Sequence, residues 1–375
     1  MISKDVIRFE TDVAIIGGGL AGASAALFLR KKKLSVILLE KAYCGAQASG
    51  VNYGGVRRQG RAPIQMPLSQ YAYDIWQRLT ELIHTDGEYQ QSGHLKLACT
   101  EADFERLQQY ARSVSDFPLN LQLFDKNDVK RHFPWLQGNV SGASFCPKDG
   151  QANPRLVSPA FASAAKLSGA QIFELSSVIE ATHNGHCFTI KTNNGLEIRS
   201  QFLVNAAGAW SNTIAKWFGE NVPLTNIYPN MIVTEPVAMQ LPVSLGQEGG
   251  GFYCRQVSRG NFVAGGGRGK ALDNTDYSRP VADNMIALMR NISELFPMMS
   301  NAAVIRSWTG TEGETSDHQP VIGFSQTTPN LLHAFGFSGA GFQIAPAVGA
   351  VISDLIKYNK TEIDVKPFNI GRFII

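Results

Sequence analysis

Cysteine is scarce in this 375-residue chain: five residues, Cys44, Cys99, Cys146, Cys187 and Cys254, lie far apart with no Cys-x-x-Cys pair. That pattern supports neither a disulfide framework nor a metal or iron–sulfur site. It makes a reducing cytoplasm the expected compartment, with a peripheral place at the membrane as the variant. Charge bias is also absent, since 34 Lys and Arg against 31 Asp and Glu leave +3. The one basic run, Arg30-Lys31-Lys32-Lys33, ends a helical stretch where cations complement the helix dipole, so no nucleic-acid partner is indicated. No apolar run suits a bilayer. Residues 13–29 come nearest, but they are short, are broken by Gly17-Gly18-Gly19, and follow acidic residues rather than a basic leader. Repeats and low-complexity segments are missing too. A content of 44% hydrophobic and 17% charged residues is that of a globular enzyme with room for two domains.

Residues 12–40 are the most informative stretch: an apolar strand, a glycine turn, a helix and a second strand closing on an acid. This is the pattern of a dinucleotide-binding βαβ unit. Gly17 lets the chain turn out of the strand, Gly19 admits a pyrophosphate against the backbone, and Gly22 lets the helix pack closely on the sheet. Phosphates then sit on the positive end of that helix. Glu40 stands where a carboxylate accepts from a ribose 2′-hydroxyl and repels a 2′-phosphate, so the expected ligand is FAD or NAD.

Beyond Glu40, residues 45–58 are too rich in glycine for helix or strand, and read as a loop running along a cofactor. Helical spacing follows at 66–82 and 101–114 with a strand at 93–99 between them, and several turns occupy 120–150. A helix at 156–167 precedes short strands at 170–173, 178–182, 188–192 and 196–198. A buried strand from 202 enters the small-residue turn at 205–211. Residues 223–306 read as mostly antiparallel sheet with an inserted helix at 285–296. A strand at 331–335, a second glycine turn at 336–341 and a helix at 343–356 close the pattern, making a second anion or carbonyl site. The expected fold is α/β: a Rossmann-like, glutathione-reductase-type FAD-binding domain (1–90, 145–222 and 307–375) with an inserted, mostly antiparallel α+β substrate domain (91–144 and 223–306). Two nucleotide-type turns this far apart favour a flavin over nicotinamide.

The chain resembles the D-amino-acid oxidase superfamily, which includes glycine oxidase, sarcosine oxidases and flavin-dependent opine and hydroxyproline dehydrogenases. The resemblance rests on Gly17-x-Gly19-x-x-Gly22 with Glu40, on Ala48-Ser-Gly-Val-Asn-Tyr-Gly-Gly-Val-Arg57, and on Asp149-Gly-Gln-Ala-Asn-Pro154. Asn205-Ala-Ala-Gly-Ala-Trp210, Trp308-Thr-Gly310, Asp317-His-Gln-Pro-Val-Ile-Gly323 and Phe335-Gly-Phe-Ser-Gly-Ala-Gly-Phe342 complete it. In wording it is nearest to the catalytic chains of opine and D-hydroxyproline dehydrogenases.

The resemblance implies that Gly17, Gly19, Leu20, Ala21 and Gly22 hold the pyrophosphate and that Glu40, with Lys41, serves the adenosine ribose. Val178 is implied to hold adenine through its backbone. Ala48, Ser49, Gly54 and Gly55 are to edge the flavin, with Ala207, Gly208, Trp210 and Gly310 nearby. Gly339, Ala340, Gly341, Phe342 and Gln343 are to face its carbonyl end. The implied reaction oxidises the C–N bond of an amino acid or secondary amine to an imine by hydride transfer to flavin N5, so no nucleophile is required. Arg57 matches a carboxylate-binding position of sarcosine oxidases; Arg58 is expected to be solvated or paired. Arg255 is the second carboxylate candidate, with a surface salt bridge as its alternative, and Tyr253 is expected to offer a hydroxyl and a ring face.

Two departures count against simple glycine or sarcosine chemistry: Glu312 follows the Trp-x-Gly segment where glycine oxidase supplies an arginine, and Gln343 replaces a lysine of sarcosine oxidases. Glu312 either binds a cationic substrate group or pairs with Arg306 or Arg57. The FAD is expected to be non-covalent. The electron acceptor is expected to be other than oxygen, because Val263 falls where sarcosine oxidases carry a lysine beside the flavin. An electron-transfer partner protein, a quinone or a dye would then take the electrons, with a true oxidase as the alternative.

Overall fold

The computed structural model describes residues 7–238, 241–273 and 276–373. Its first sheet runs in the order Val321–Phe324, Leu331–Phe335, Leu196–Asn205, Ile7–Ile16, Val36–Leu39 and Gln171–Phe173. The inner pairings are parallel, with Val13 between Val36 and Phe202. Parallel strands covered on both faces read as unbroken apolar runs, and Val13 to Ile16 and Val36 to Leu39 are buried throughout. The helices Leu20–Lys31, Pro154–Leu167 and Gly341–Tyr358 pack on one face. An antiparallel extension, Val178–His183 and Phe188–Thr192, helps cover the other together with Ser211–Trp217.

The second sheet has the order Val304–Thr309, Pro229–Pro236, Asn261–Arg268, Tyr253–Gln256, Ser244–Gln247, His94–Ala98, Gly142–Cys146 and Gln122–Asp125. It is antiparallel except where Ser244–Gln247 runs parallel to His94–Ala98. Its two faces have different duties. Leu95, Leu97, Ile232, Leu245 and Cys254 enter an apolar core under the helix Ala282–Leu295, whereas the alternating partners His94, Lys96, Met231, Gly246 and Tyr253 point into a cavity. This period of two turns one sheet into a core on one side and a binding wall on the other.

Several sequence expectations need correction. The 45–58 segment holds a one-turn helix, Ala48–Val51, and the short strand Gly55–Val56. Asn52 Nδ2 donates to the carbonyls of Ala48 and Ser49, supplying the stop signal that glycine content obscured. The helix expected at 66–82 is two helices, Met66–Trp76 and Leu79–Ile83. The strand Leu196–Asn205 is continuous where two pieces were expected. Among the described residues no helix is long and apolar enough to cross a membrane.

Candidate active site

A cavity of about 620 Å³ runs from the first glycine turn to the wall of the second sheet. At one end lie Gly17, Gly19, Leu20, Ala21, Glu40, Lys41, Val178, Ala207, Gly208 and Trp210; Ala48, Ser49 and Gly310 lie together between the ends; at the other end lie Gly55, Arg57, Tyr253, Glu312, Gly339, Gly341 and Phe342. These segments are distant in sequence. The sheet order brings them together, because the turns after Ile7–Ile16 and Leu196–Asn205 open at the same edge of the sheet, and Ala206 N donates to Ile16 O across 2.9 Å.

The glycines at the first end are sterically required. Gly17 has φ +111°, and a Cβ there would stand 2.3 Å from Ala206 O. A Cβ on Gly22 would stand 2.0 Å from Gly17 O, so Gly22 sets helix-to-turn packing and does not itself line the cavity. Glu40 is held by the backbone: Oε2 accepts from Gly18 N at 2.7 Å and Oε1 from Ala42 N at 2.8 Å. Lys41 Nζ lies 3.3 Å from the Trp210 ring centroid and 2.7 Å from Asp276 Oδ1.

At the other end the Asp149 carboxylate pins the loop that carries the arginines. It accepts from Gln59 N at 2.9 Å and from Arg58 Nε at 3.3 Å. Arg58 is therefore paired, with its guanidinium also over the Tyr73 ring. That fixes Arg57 on the opposite side, facing the cavity, where its Nη1 donates to Gln59 O at 2.6 Å. Trp308 Nε1 donates to Val51 O at 2.7 Å, and a Cβ on Gly310 would stand 2.1 Å from Val51 Cγ2, so the Trp-x-Gly segment lies flat on the 48–51 turn.

Five of the site residues expected from sequence do not line this cavity. Gly22 packs the first helix onto its own glycine turn. Arg255 is buried and turned away, with Nε donating to Tyr53 O; it braces the loop rather than meeting a carboxylate or a surface acid, and burial pushes its pKa down to about 10. Gln343 is buried with Nε2 donating to Ser69 O at 2.9 Å. Gly54 serves a close approach, since a Cβ there would stand 2.0 Å from Ala152 O, and Ala340 is buried at the start of the last helix. Val263 also lies off the cavity, paired with Arg255 on the strand next to that of Tyr253. Glu312 does line it. It accepts from Gly339 N and forms no ion pair with Arg57 or Arg306; desolvation raises its pKa.

Sequence reasoning missed Tyr53, Arg61, His94 and Lys96, all on the cavity. The ring centroids of Tyr53 and Tyr253 lie 4.6 Å apart. His94 Nδ1 lies 2.9 Å from Ser244 Oγ, whose own hydrogen goes to Gly93 O at 3.1 Å; Nδ1 is thus the donor and Nε2 carries a lone pair. Burial holds that imidazole neutral, reinforced by Arg57, Lys96 and Arg61. His94 and Lys96 stand two residues apart on a strand whose alternation was legible, and that was the available signal. Among the described residues no cluster of His, Cys, Asp and Glu could hold a metal ion.

The model of the DAO family, described as FAD dependent oxidoreductase, matches residues 12–355. Glycine oxidase of Bacillus subtilis (strain 168) is 27% identical over 372 residues, covering 96% of this chain and 97% of that protein. One of the subunits of opine oxidase from Rhizobium meliloti is 27% identical over 382 residues, covering 97% of this chain and 98% of that protein. The crystal structure of L-proline dehydrogenase from P. horikoshii superposes with a TM-score of 0.89 at 26% identity, covering 98% of each chain. The chain belongs to the DAO family of FAD dependent oxidoreductases, and its fold is that family's mixed α/β fold. The residues present fit the cofactor: a helix start behind a glycine turn, a backbone-held carboxylate at Glu40, and glycine backbone edging a long cavity.

Proposed function

We propose that this family member oxidises the C–N bond of an amino acid or secondary amine, drawn from D-amino acids, imino acids, N-substituted glycines and opines. It then passes electrons to an acceptor other than oxygen. The observation that carries the reading is Arg57, a guanidinium on the cavity with no carboxylate partner among the described residues, set beside the Tyr53–Tyr253 pair. The names of the relatives, glycine oxidase, opine oxidase and L-proline dehydrogenase, all describe donors of this class.

FAD, when bound, supplies a two-electron hydride acceptor. Everything else is positioning by the chain. Gly17, Gly19, Leu20 and Ala21 would hold its pyrophosphate; Glu40, Lys41, Val178 and Trp210 its adenosine end. Ala48, Ser49, Gly55, Gly310, Gly341 and Phe342 would edge its ring. Arg57 fixes the substrate carboxylate and thereby the α-carbon, replacing a bimolecular search by a held geometry. The two tyrosine rings shield the reacting end from water, and His94 offers its Nε2 lone pair to a donor such as the substrate amine. Imine hydrolysis then yields a carbonyl product, so hydrazine trapping should recover a keto acid or aldehyde from turned-over amine. Turnover without a trappable carbonyl would contradict the reading.

Non-covalent attachment is part of the proposal. No cysteine lines the cavity among the described residues, and Cys254 faces the opposite core. Acid precipitation should release all yellow colour to the supernatant; colour kept in the pellet would contradict it.

Residues on the cavity itself support an acceptor other than oxygen. The lysines on the cavity, Lys41 and Lys96, are each compensated, by Asp276 and Glu248, which leaves neither ammonium to stabilise developing superoxide, and the guanidinium of Arg57 is assigned to the substrate carboxylate. Dye reduction should outrun peroxide formation at least about tenfold, which needs only ~1.4 kcal/mol between the barriers. Equal rates in air-saturated buffer would favour a true oxidase. A second reading, assembly with a partner protein that takes the electrons, draws on the opine oxidase relative, which is itself one component of a larger enzyme. Co-purification from native extract followed by dye assay of each fraction tests it.

A further inference from the structure

Both lysines on this cavity, and the arginine next to Arg57, have an acidic partner: Lys41 has Asp276, Lys96 has Glu248, and Arg58 has Asp149. Arg57 and Arg61 have none among the described residues. Each guanidinium presents five N–H donors, yet Arg57 has a single carbonyl acceptor, Gln59 O, and Arg61 a single one, Gly339 O at 3.2 Å. Arg61 is 6% exposed, and its Nε is buried with no hydrogen-bond partner. Both side chains reach the same end of the cavity, near the would-be flavin edge and the tyrosine pair. Leaving a buried guanidinium next to a half-buried one without an anion is costly, because Arg61 loses its hydration and Arg57 repels it. Burial and the nearby Arg57 push the pKa of Arg61 down to about 9.

One carboxylate satisfies one guanidinium in a bidentate fork and leaves the second uncompensated. The surrounding groups do not supply the missing charge. Neutral His94 adds no negative charge, Glu248 is engaged by Lys96 and Arg106, and Asp149, whose field reaches Arg61, is engaged by Arg58 and Gln59 N. Glu312 and Arg61 also act on each other, but burial raises the Glu312 pKa toward the neutral form, its Oε1 accepts from Gly339 N, and it forms no ion pair with either arginine. We propose that the substrate is a dicarboxylate amine, an N-carboxyalkyl amino acid or iminodiacid, with one carboxylate on Arg57 and the second on Arg61. This rests on the amine-oxidising reading above and narrows it. It also accounts for the departure from simple glycine chemistry: a substrate with one carboxylate would leave the Arg61 fork empty. Arg61 is then a specificity-determining residue, chosen by its position four residues after Arg57 and held over the cavity by the Gly339 carbonyl.

The test compares iminodiacetate and N-(1-carboxyethyl)alanine with sarcosine and alanine on the FAD-loaded protein, with dye reduction as the readout. Binding without turnover is measured in parallel, by titrating the flavin spectrum with succinate and with acetate. A kcat/KM at least about 100-fold higher for the dicarboxylates, and succinate binding at least about tenfold tighter than acetate, are expected. In Arg61→Gln, with flavin content verified, both ratios should fall toward unity, and Arg61→Lys should restore part of each. Equal use of mono- and dicarboxylates by the unaltered protein would overturn the proposal while leaving amine oxidation standing. Loss of both substrate types by the same factor in Arg61→Gln would also overturn it, assigning Arg61 to the ring. If no amine of either kind reduces the flavin, the amine-oxidising reading itself fails.

Discussion

Gly17→Ala is expected to give a colourless protein. The position has φ +111°, where a side chain costs about 1–2 kcal/mol, and the new Cβ would stand 2.3 Å from Ala206 O. Relief of that contact must move either the first glycine turn or the 206–208 turn, and both form the cavity wall. A shift of this kind separates the helix start from the pyrophosphate it is to hold, and flavin occupancy should fall from about nine-tenths or more to below about a tenth, a weakening of roughly 80-fold or ~2.6 kcal/mol in binding. Gly185→Ala is the matching control. It has a similar φ of +92° but nothing within 4 Å of the added carbon, so it should keep its flavin. The measurement is the ratio of flavin to protein absorbance after gel filtration, with far-UV circular dichroism to confirm folding. A yellow Gly17→Ala protein would remove the cofactor assignment from this end of the cavity.

Arg57→Ala should leave the flavin bound and raise KM strongly. A charge-assisted carboxylate contact is worth on the order of 2–4 kcal/mol, or roughly 30- to 1000-fold in kcat/KM. Arg57→Lys should recover only part of this, since an ammonium cannot form the planar fork. Steady-state kinetics on a donor that the unaltered protein uses well, with flavin content matched, reads the effect. If both variants turn over normally, Arg57 is not the clamp. Arg61 then becomes the first alternative, because Arg255, the other arginine suggested by the sequence, is locked under the Tyr53 carbonyl and faces away.

What could be read from the sequence was local chemistry repeated along an element. The strand–turn–helix–strand at 12–40 is a contiguous pattern, and the structure contains it as Ile7–Ile16, Leu20–Lys31 and Val36–Leu39. The apolar runs of the buried strands and the second glycine turn before Gly341–Tyr358 were legible for the same reason. The direction in which a side chain points was harder. Arg57 and Arg58 are neighbours of identical type; only the distant Asp149, through Gln59 N and Arg58 Nε, decides that Arg58 is buried. Arg255 sits one residue past Cys254 and two past Tyr253, so alternation puts it on the Tyr253 face, yet it bends beneath the 53–54 turn instead of entering the cavity. Gln343 looked like a ring contact because it follows Gly341-Phe342, but its helical turn carries the amide to Ser69 O. Arg61 went unnoticed because its place on the cavity depends on Gly339, far along the chain, whose carbonyl holds the guanidinium while its N–H holds Glu312.

Anaerobic titration of the purified, FAD-loaded protein with amino acids, N-alkyl amino acids, imino acids and opines, with the flavin spectrum recorded, decides whether the chain oxidises amines. Bleaching of the oxidised flavin band by at least one amine carboxylate, with one mole of carbonyl product per mole of flavin reduced, is the predicted result. A protein whose bound flavin stays fully oxidised in the presence of all of them, yet bleaches with dithionite, would contradict the account.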